Sequence, residues 1–374
     1  MRILRPVIVI CVLLTQWSCT NISNGEQASG ATASVDIVKD TSKFINVILM
    51  IGDGMGLTQI TAGWIAKGDA LNLERCPVIG LMKTNSSDNF ITDSAAGATA
   101  FATGKKTYNG AIGVDPDKAA LTTILEIAEK NGIATGLVAT CSITHATPAS
   151  FIAHQPSRLL DEAIAADFLK TDIDVFIGGG KKFFEFRSDG ENLLELLQEN
   201  GYTVADGAEE IDMVKSGKLA GFIADEHPAK ISDGRGDLLS FSSLKAIELL
   251  NLNDKGFFLM IEGSQIDWGG HANDSEYIVD EMLDFDNAVG KVLDFAEKDG
   301  NTLVIITADH ETGGYAINAA DEDGNIEGAF TTDYHTAVMV PVFAYGPGAE
   351  AFAGVYHNTA IFNKMMAAFS MKTP

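Results

Sequence analysis

Cations are scarce in this chain of 374 residues: 26 Lys and Arg stand against 51 Asp and Glu, for a formal charge of −25. Only six Arg occur: Arg2, Arg5, Arg75, Arg158, Arg187 and Arg235. That shortage excludes nucleic-acid binding as a function, because phosphate-backbone contacts need clustered Lys and Arg. It argues equally against docking on an anionic membrane surface. Cysteine is also sparse, at four residues (Cys11, Cys19, Cys76 and Cys141). No C-x-x-C pair is present, so neither a disulfide framework nor a thiolate metal motif is expected. Cys76 and Cys141 read as two buried thiols, with a single bridge between them as the alternative. Proline is low at nine residues, and no apolar run approaches the roughly 20 residues that span a bilayer. What is plentiful is apolar surface: 46% of residues are hydrophobic, which supports a large core and excludes disorder.

The first residues read as an address. Arg2 and Arg5 precede a short apolar run over 7–14, the pattern of a secretory signal peptide. Ser18-Cys19 then resembles a bacterial lipoprotein junction, although Gln16 stands where Leu is usual. Ordinary cleavage after Ala31-Thr32-Ala33 is the alternative. The expectation is a signal over 1–18, a polar tether over 19–42 with Cys19 as a lipid anchor, and one domain over 43–374. The protein is then exported, periplasmic or held on an outer membrane.

Short apolar runs at 46–51, 78–82, 135–140, 175–177, 257–261, 303–307 and 338–345 read as buried parallel strands. Helical patterns lie between them, over 118–131 (ending at Gly132) and 276–298. The expected fold is α/β, a central and mainly parallel sheet with helices on both faces. The stretch 159–253 reads as a helical elaboration on it. Several strands run directly into polar residues: Ile51-Gly52-Asp53, Ile261-Glu262 and Ala308-Asp309-His310. Ligands of open parallel sheets bind at the carboxyl ends of strands, so these side chains converge on one edge.

The chain has seven His. Asp267 and His271 stand four apart, Asp309 and His310 are adjacent, and His335 precedes the last long apolar run. Mixed Asp and His donors suit zinc. Asp53, Glu262 and hydroxyls suit a harder ion such as magnesium. Ser94 follows Thr92-Asp93 and opens a helix of small residues. It reads either as a plain N-cap or as a nucleophile whose helix N-terminus faces an anion. His154, His227 and His357 read as structural or peripheral.

Together these segments resemble alkaline phosphatases: Met50 to Gly56, Asp93-Ser94-Ala95 through Thr103-Gly104, Glu262 to His271, Thr307 to Gly314, and His335. The likeness runs over about 46–347, and the brevity is similar to compact, cold-active bacterial members. The resemblance implies hydrolysis of small phosphate monoesters through a phosphoserine at Ser94, with two zinc ions and one magnesium, in a homodimer. It assigns Asp267, His271 and His335 to the first zinc. It assigns Asp53, Asp309 and His310 to the second, and Asp53, Thr147 and Glu262 to magnesium. Arg158 grips the phosphate. Asp93, His145 and Trp268 stand around the substrate. His145 replaces an Asp of the enteric-type pattern and reaches the third metal through water, which leaves magnesium or zinc open there. Trp268 replaces a Lys. Rival functions are a diesterase or sulfatase of the same superfamily, and a noncatalytic phosphate-binding protein. Ser94 is not followed by the x-P-x-R context of sulfatases. An arginine placed like Arg158 is unusual in diesterases.

Overall fold

The computed structural model describes residues 45–321 and 323–371. The expected signal, tether and Cys19 anchor lie outside the described residues.

Among the described residues fourteen strands are formed: β1 Asn46–Gly52, β2 Val78–Lys83, β3 Ala134–Ser142, β4 Val175–Gly179, β5 Tyr202–Asp206, β6 Lys218–Phe222 and β7 Phe257–Gly263, then β8 Thr302–Thr307, β9 Glu311–Thr312, β10 Ala316–Ala320, β11 Ile326–Ala329, β12 His335–Thr336, β13 Val340–Tyr345 and β14 Gly354–His357. Ten of them build one sheet in the order β14-β2-β13-β8-β1-β7-β3-β4-β6-β5. Every residue of β1, β7 and β8 is buried. Strands covered on both faces read as unbroken apolar runs, which is how these three stand in the sequence. Helices flank the sheet, and the longest, Ser275–Asp299, packs against β1, β7 and β8. Asp274 caps its start by accepting from Glu276 N and Tyr277 N, and Gly300 ends it at φ 73°.

Three expectations need correction. The sheet is parallel except at β13, which runs antiparallel to both β2 and β8 and begins at Val340 rather than 338. A short connection from β12 brings the chain back along β8, so no helical crossover intervenes. The helix expected from 118 begins at Ile124, because Lys118 sits at φ 68° in a turn whose Leu121 N donates to Gly113 O. Thr123 and Glu126 form a capping box at its real start. The stretch 159–253 does carry helices. It also adds β5 and β6 to β4 and so extends the sheet to its edge. The edge position leaves β5 partly exposed, so its apolar pattern is weak.

Cys76 and Cys141 are both buried and unbridged, as read from their scarcity. No helix among the described residues is long and apolar enough to cross a membrane.

Candidate functional site

β7, β1 and β8 are sheet neighbours in parallel register, with Ile51 opposite both Glu262 and Thr307. Their carboxyl ends therefore bring Asp53, Glu262 and Asp309 together, and all three are fully buried. The turn after β1 needs Gly54: it sits at φ 72°, and a Cβ there would meet Asp267 Cα at 2.7 Å. Its N–H donates to Asp309 Oδ1 at 3.2 Å.

The helix Ser94–Thr103 is made of small residues and is buried along its whole length. Asp93 caps it by accepting from Ala96 N at 3.0 Å, which fixes Ser94 at the first turn. Small side chains let the helix lie close to the sheet edge. A Cβ on Gly97 would meet Asp309 Cβ at 3.1 Å. Ser94 Oγ consequently lies 3.3 Å from His310 Nε2.

Two donor groups meet beside that hydroxyl. Asp53, Asp309 and His310 form one, and Asp267, His310 and His335 the other. His310 Nε2 lies 3.5 Å from Asp53 Oδ1 and 3.2 Å from Asp309 Oδ2. Asp267 comes from the helix Gln265–His271, where the four-residue spacing puts it and His271 on one face, 3.3 Å apart. His335 Nε2 lies 3.5 Å from Asp267 Oδ1 and 3.1 Å from His271 Nε2. β12 pairs with β9, setting His335 opposite Thr312 and stacking its ring on that of His310 at 3.6 Å. The far nitrogens are also held: His271 Nδ1 by Asp333 O at 2.6 Å, and His335 Nδ1 by Thr92 O at 2.9 Å. Such outer bonds fix which nitrogen faces a metal.

Electrostatics describe a site short of positive charge. Burial raises Asp53 well above the ordinary carboxylate range, and the charges of Asp309, Asp267 and Glu262 push the same way. Asp309 is pushed up to about 7, by burial and then by Asp267. Burial also raises Glu262. Asp267 goes the other way: burial opposes it, yet the His271 hydrogen bond and the neighbouring His310 and His335 hold it well below. Burial leaves His310 neutral, and it brings His145 down to about 3 with help from Arg158 and His227.

These residues fit divalent metal ions. Both oxygens of Asp53, Asp309 Oδ2, Glu262 Oε1 and Thr147 Oγ1 are buried with no hydrogen-bond partner. Buried polar atoms are ordinarily satisfied, and unpaired carboxylate oxygens beside neutral imidazoles match a cation's needs. Thr147 lies in the short helix Ala146–Ala149 that follows β3.

Arg158 reaches the mouth of the site from the loop before the helix Asp161–Asp167. Its Nη1 donates to Asp93 Oδ2 at 3.2 Å and its Nη2 to His145 Nε2 at 3.1 Å. Trp268 packs edge-on to His145 (6.2 Å) and His227 (4.9 Å). Asp53, Asp309 and His310, then Asp267, His271 and His335, and Arg158 with Asp93 and His145 thus lie around Ser94, directly or through a shared neighbour.

Sequence reasoning missed others. His227 is not peripheral: its Nδ1 accepts from Ser142 N at 3.0 Å, and its ring lies between the loop after β6 and Trp268. Its local context, Asp225-Glu226-His227-Pro228, carries no signal of that. Thr312 donates to Asp267 Oδ1 and lies 3.2 Å from His310 Nδ1. Its place two residues after His310 could have flagged it. Cys141, at the end of β3, sits 3.2 Å from Glu262 Oε2. His154 is structural as expected, bonded to Gly113 O and Glu126.

A family model described as alkaline phosphatase matches residues 44–326. The chain is 37% identical to alkaline phosphatase 3 of Bacillus subtilis, over 86% of this chain and 88% of that protein. Among solved structures it is similar to the alkaline phosphatase of the Antarctic bacterium TAB5, with 47% identity and a TM-score of 0.84, covering 88% of this chain and 99% of the other. A histidine-to-aspartate variant of that TAB5 protein, solved with Mg in its M3 site, matches at 46% identity and a TM-score of 0.83 over the same shares.

Proposed function

Because this chain belongs to the alkaline phosphatase family, we propose that its hydrolysis of phosphate monoesters runs through a phosphoserine at Ser94, with two zinc ions and one further divalent ion held by the residues around it. The observation that carries this reading is the Ser94 hydroxyl, 3.3 Å from His310 Nε2, at the point where the two Asp–His groups meet.

Asp267, His271 and His335 would hold one zinc, and Asp53, Asp309 and His310 the other. Asp53, Thr147 and Glu262 would hold the third ion, magnesium in the simplest assignment. When bound, such ions supply positive charge to the entering and leaving oxygens of an in-line displacement.

The chain's own residues do the rest. Arg158 binds two nonbridging oxygens of the substrate with its planar guanidinium. Asp93 holds that guanidinium over the helix start, where free N–H groups also favour an anion. Ser94 Oγ loses its proton and attacks phosphorus. The bond to the alcohol oxygen breaks as the Oγ–P bond forms, and the alcohol leaves with a proton. Water then cleaves Oγ–P, giving inorganic phosphate and restoring the serine. Trp268 walls the site without adding a cation, so phosphate is released readily.

The reading extends to an exported homodimer tethered through Cys19. Lipid labelling of a Cys19→Ala variant and light scattering of the purified protein test those two parts.

The central experiment measures metal content and p-nitrophenyl phosphate turnover before and after chelation. Two or more zinc per chain and turnover abolished by chelator are expected. Fewer than two zinc, or activity indifferent to chelator, overturns the mechanism.

A further inference from the structure

The thiol of Cys141 has no part in the reaction described above, yet it lies against Glu262, one of the residues proposed to hold the third ion. We propose that Cys141 is a ligand of that position, together with His145 and Glu262, and that the position therefore selects zinc over magnesium. The inference rests on the metal-dependent reading above and concerns which ion that reading needs.

Donor atoms of Cys141, His145 and Glu262 all lie within 4.8 Å of one another. The Sγ is 3.2 Å from Glu262 Oε2, and Ser264 Oγ donates to that same oxygen at 2.7 Å. A thiol placed only to satisfy Glu262 would complete its environment. It does not: Glu262 Oε1 has no partner, nor have Thr147 Oγ1 and His145 Nδ1. Glu262 and Thr147 are both fully buried. The orphaned oxygens of Glu262 and Thr147 are a second sign of a missing cation, one on the carboxylate that the sulfur touches and one on the short helix that follows β3.

The donor types then decide the ion. Magnesium wants six oxygen ligands in near-octahedral array and keeps several waters. Sulfur, imidazole nitrogen and carboxylate oxygen form a compact zinc set, with the Thr147 hydroxyl or Asp53 to complete four. The reaction balances simply: the Sγ–H proton leaves to solvent as the sulfur–metal bond forms. A neutral imidazole has one lone pair, which here accepts from Arg158 Nη2. Ligation by His145 therefore releases that Arg158 hydrogen bond.

The test strips the full-length protein with chelator and reloads it with Co²⁺. Wild type should show a near-ultraviolet thiolate-to-cobalt charge-transfer band. Cys141→Ala should lose it, and Cys76→Ala should keep it. Reloaded with zinc in the presence of excess magnesium, wild type should hold three zinc per chain, and Cys141→Ala two zinc and one magnesium. Cys141→Ser keeps the hydroxyl-to-Glu262 hydrogen bond and serves if the alanine variant fails to fold; it should also lack the band. A wild-type protein without the band, or one that takes magnesium as its third ion, overturns the proposal. Turnover of p-nitrophenyl phosphate by the zinc-loaded wild type, with no band in the cobalt-loaded one, sinks the thiol ligand alone. Absence of turnover sinks the reading on which it rests.

Discussion

Asp93 joins two jobs in one carboxylate: its Oδ2 lies 3.2 Å from Arg158 Nη1, while its Oδ1 caps the helix that begins at Ser94. The proposed nucleophile Ser94 and the arginine proposed to grip phosphate are therefore set against the same side chain. Asp93→Asn keeps a cap but removes the ion pair. It should lower kcat/KM about 10-fold, the worth of one charge-assisted hydrogen bond, with thermal stability nearly unchanged. Asp93→Ala should lose the cap as well, at a further cost of about 1 kcal/mol in unfolding free energy. Steady-state kinetics and denaturant melts of both variants check the split.

Arg158→Ala should reduce kcat/KM by about 100-fold, in line with removing a main stabilising donor from a reacting phosphate. Arg158→Lys should recover only part of that, because an ammonium cannot span two oxygens. Equal activity in the two variants would contradict a bidentate role.

Ser94→Ala should abolish turnover of p-nitrophenyl phosphate while the metal-loaded protein still binds inorganic phosphate. Calorimetry supplies the binding and acid-quenched labelling the covalent intermediate. A variant that keeps both turnover and labelled protein would remove Ser94 from the mechanism.

Trp268 stands against His145 and His227 without adding charge. Trp268→Lys should tighten product inhibition by phosphate several-fold, since one cation at this range strengthens the hold on a dianion. Unchanged inhibition would leave the tryptophan as packing alone.

Glu129, on the helix Ile124–Lys130, offers a pH test outside the candidate site. Burial pushes its carboxyl up to about 7, with Asp174 and Asp172 adding to the rise and a hydrogen bond from Thr135 opposing it. A raised folded pKa means that the folded state holds the proton more tightly. Its stabilising share is full below about 4.5 and is lost as pH rises through 7. Glu129→Gln should then match wild type at low pH and exceed it above neutrality, by about 1 kcal/mol after allowance for solvent screening. Urea melts at pH 5 and pH 8 measure the difference.

The parts of this site that stood plainly in the sequence share a physical cause. Asp53, Glu262 and Asp309 follow apolar runs whose parallel pairing forces their ends together, so each strand announces its own carboxylate. Asp267 and His271 are legible because the helical period puts them on one face. Cys141 and His227 were not legible, because nothing local marks them. Cys141 stands next to last in a strand of ordinary composition, and His227 reaches the site only through the path of the loop after β6. β5 escaped notice because its outer face is wet, and the false helix start at Lys118 arose because periodicity does not register a left-handed backbone residue.

The placement of the donors also bears on the order in which the molecule is made. Gly54 and Asp309, joined by one hydrogen bond, lie 255 positions apart along the chain, and β1, between β7 and β8, cannot find its neighbours until nearly all of the polypeptide exists. Contacts of such range form slowly. No early fragment holds all the donors of either Asp–His group, so the ions proposed above would bind only once the sheet has formed, and their uptake would be a late signal that folding has finished.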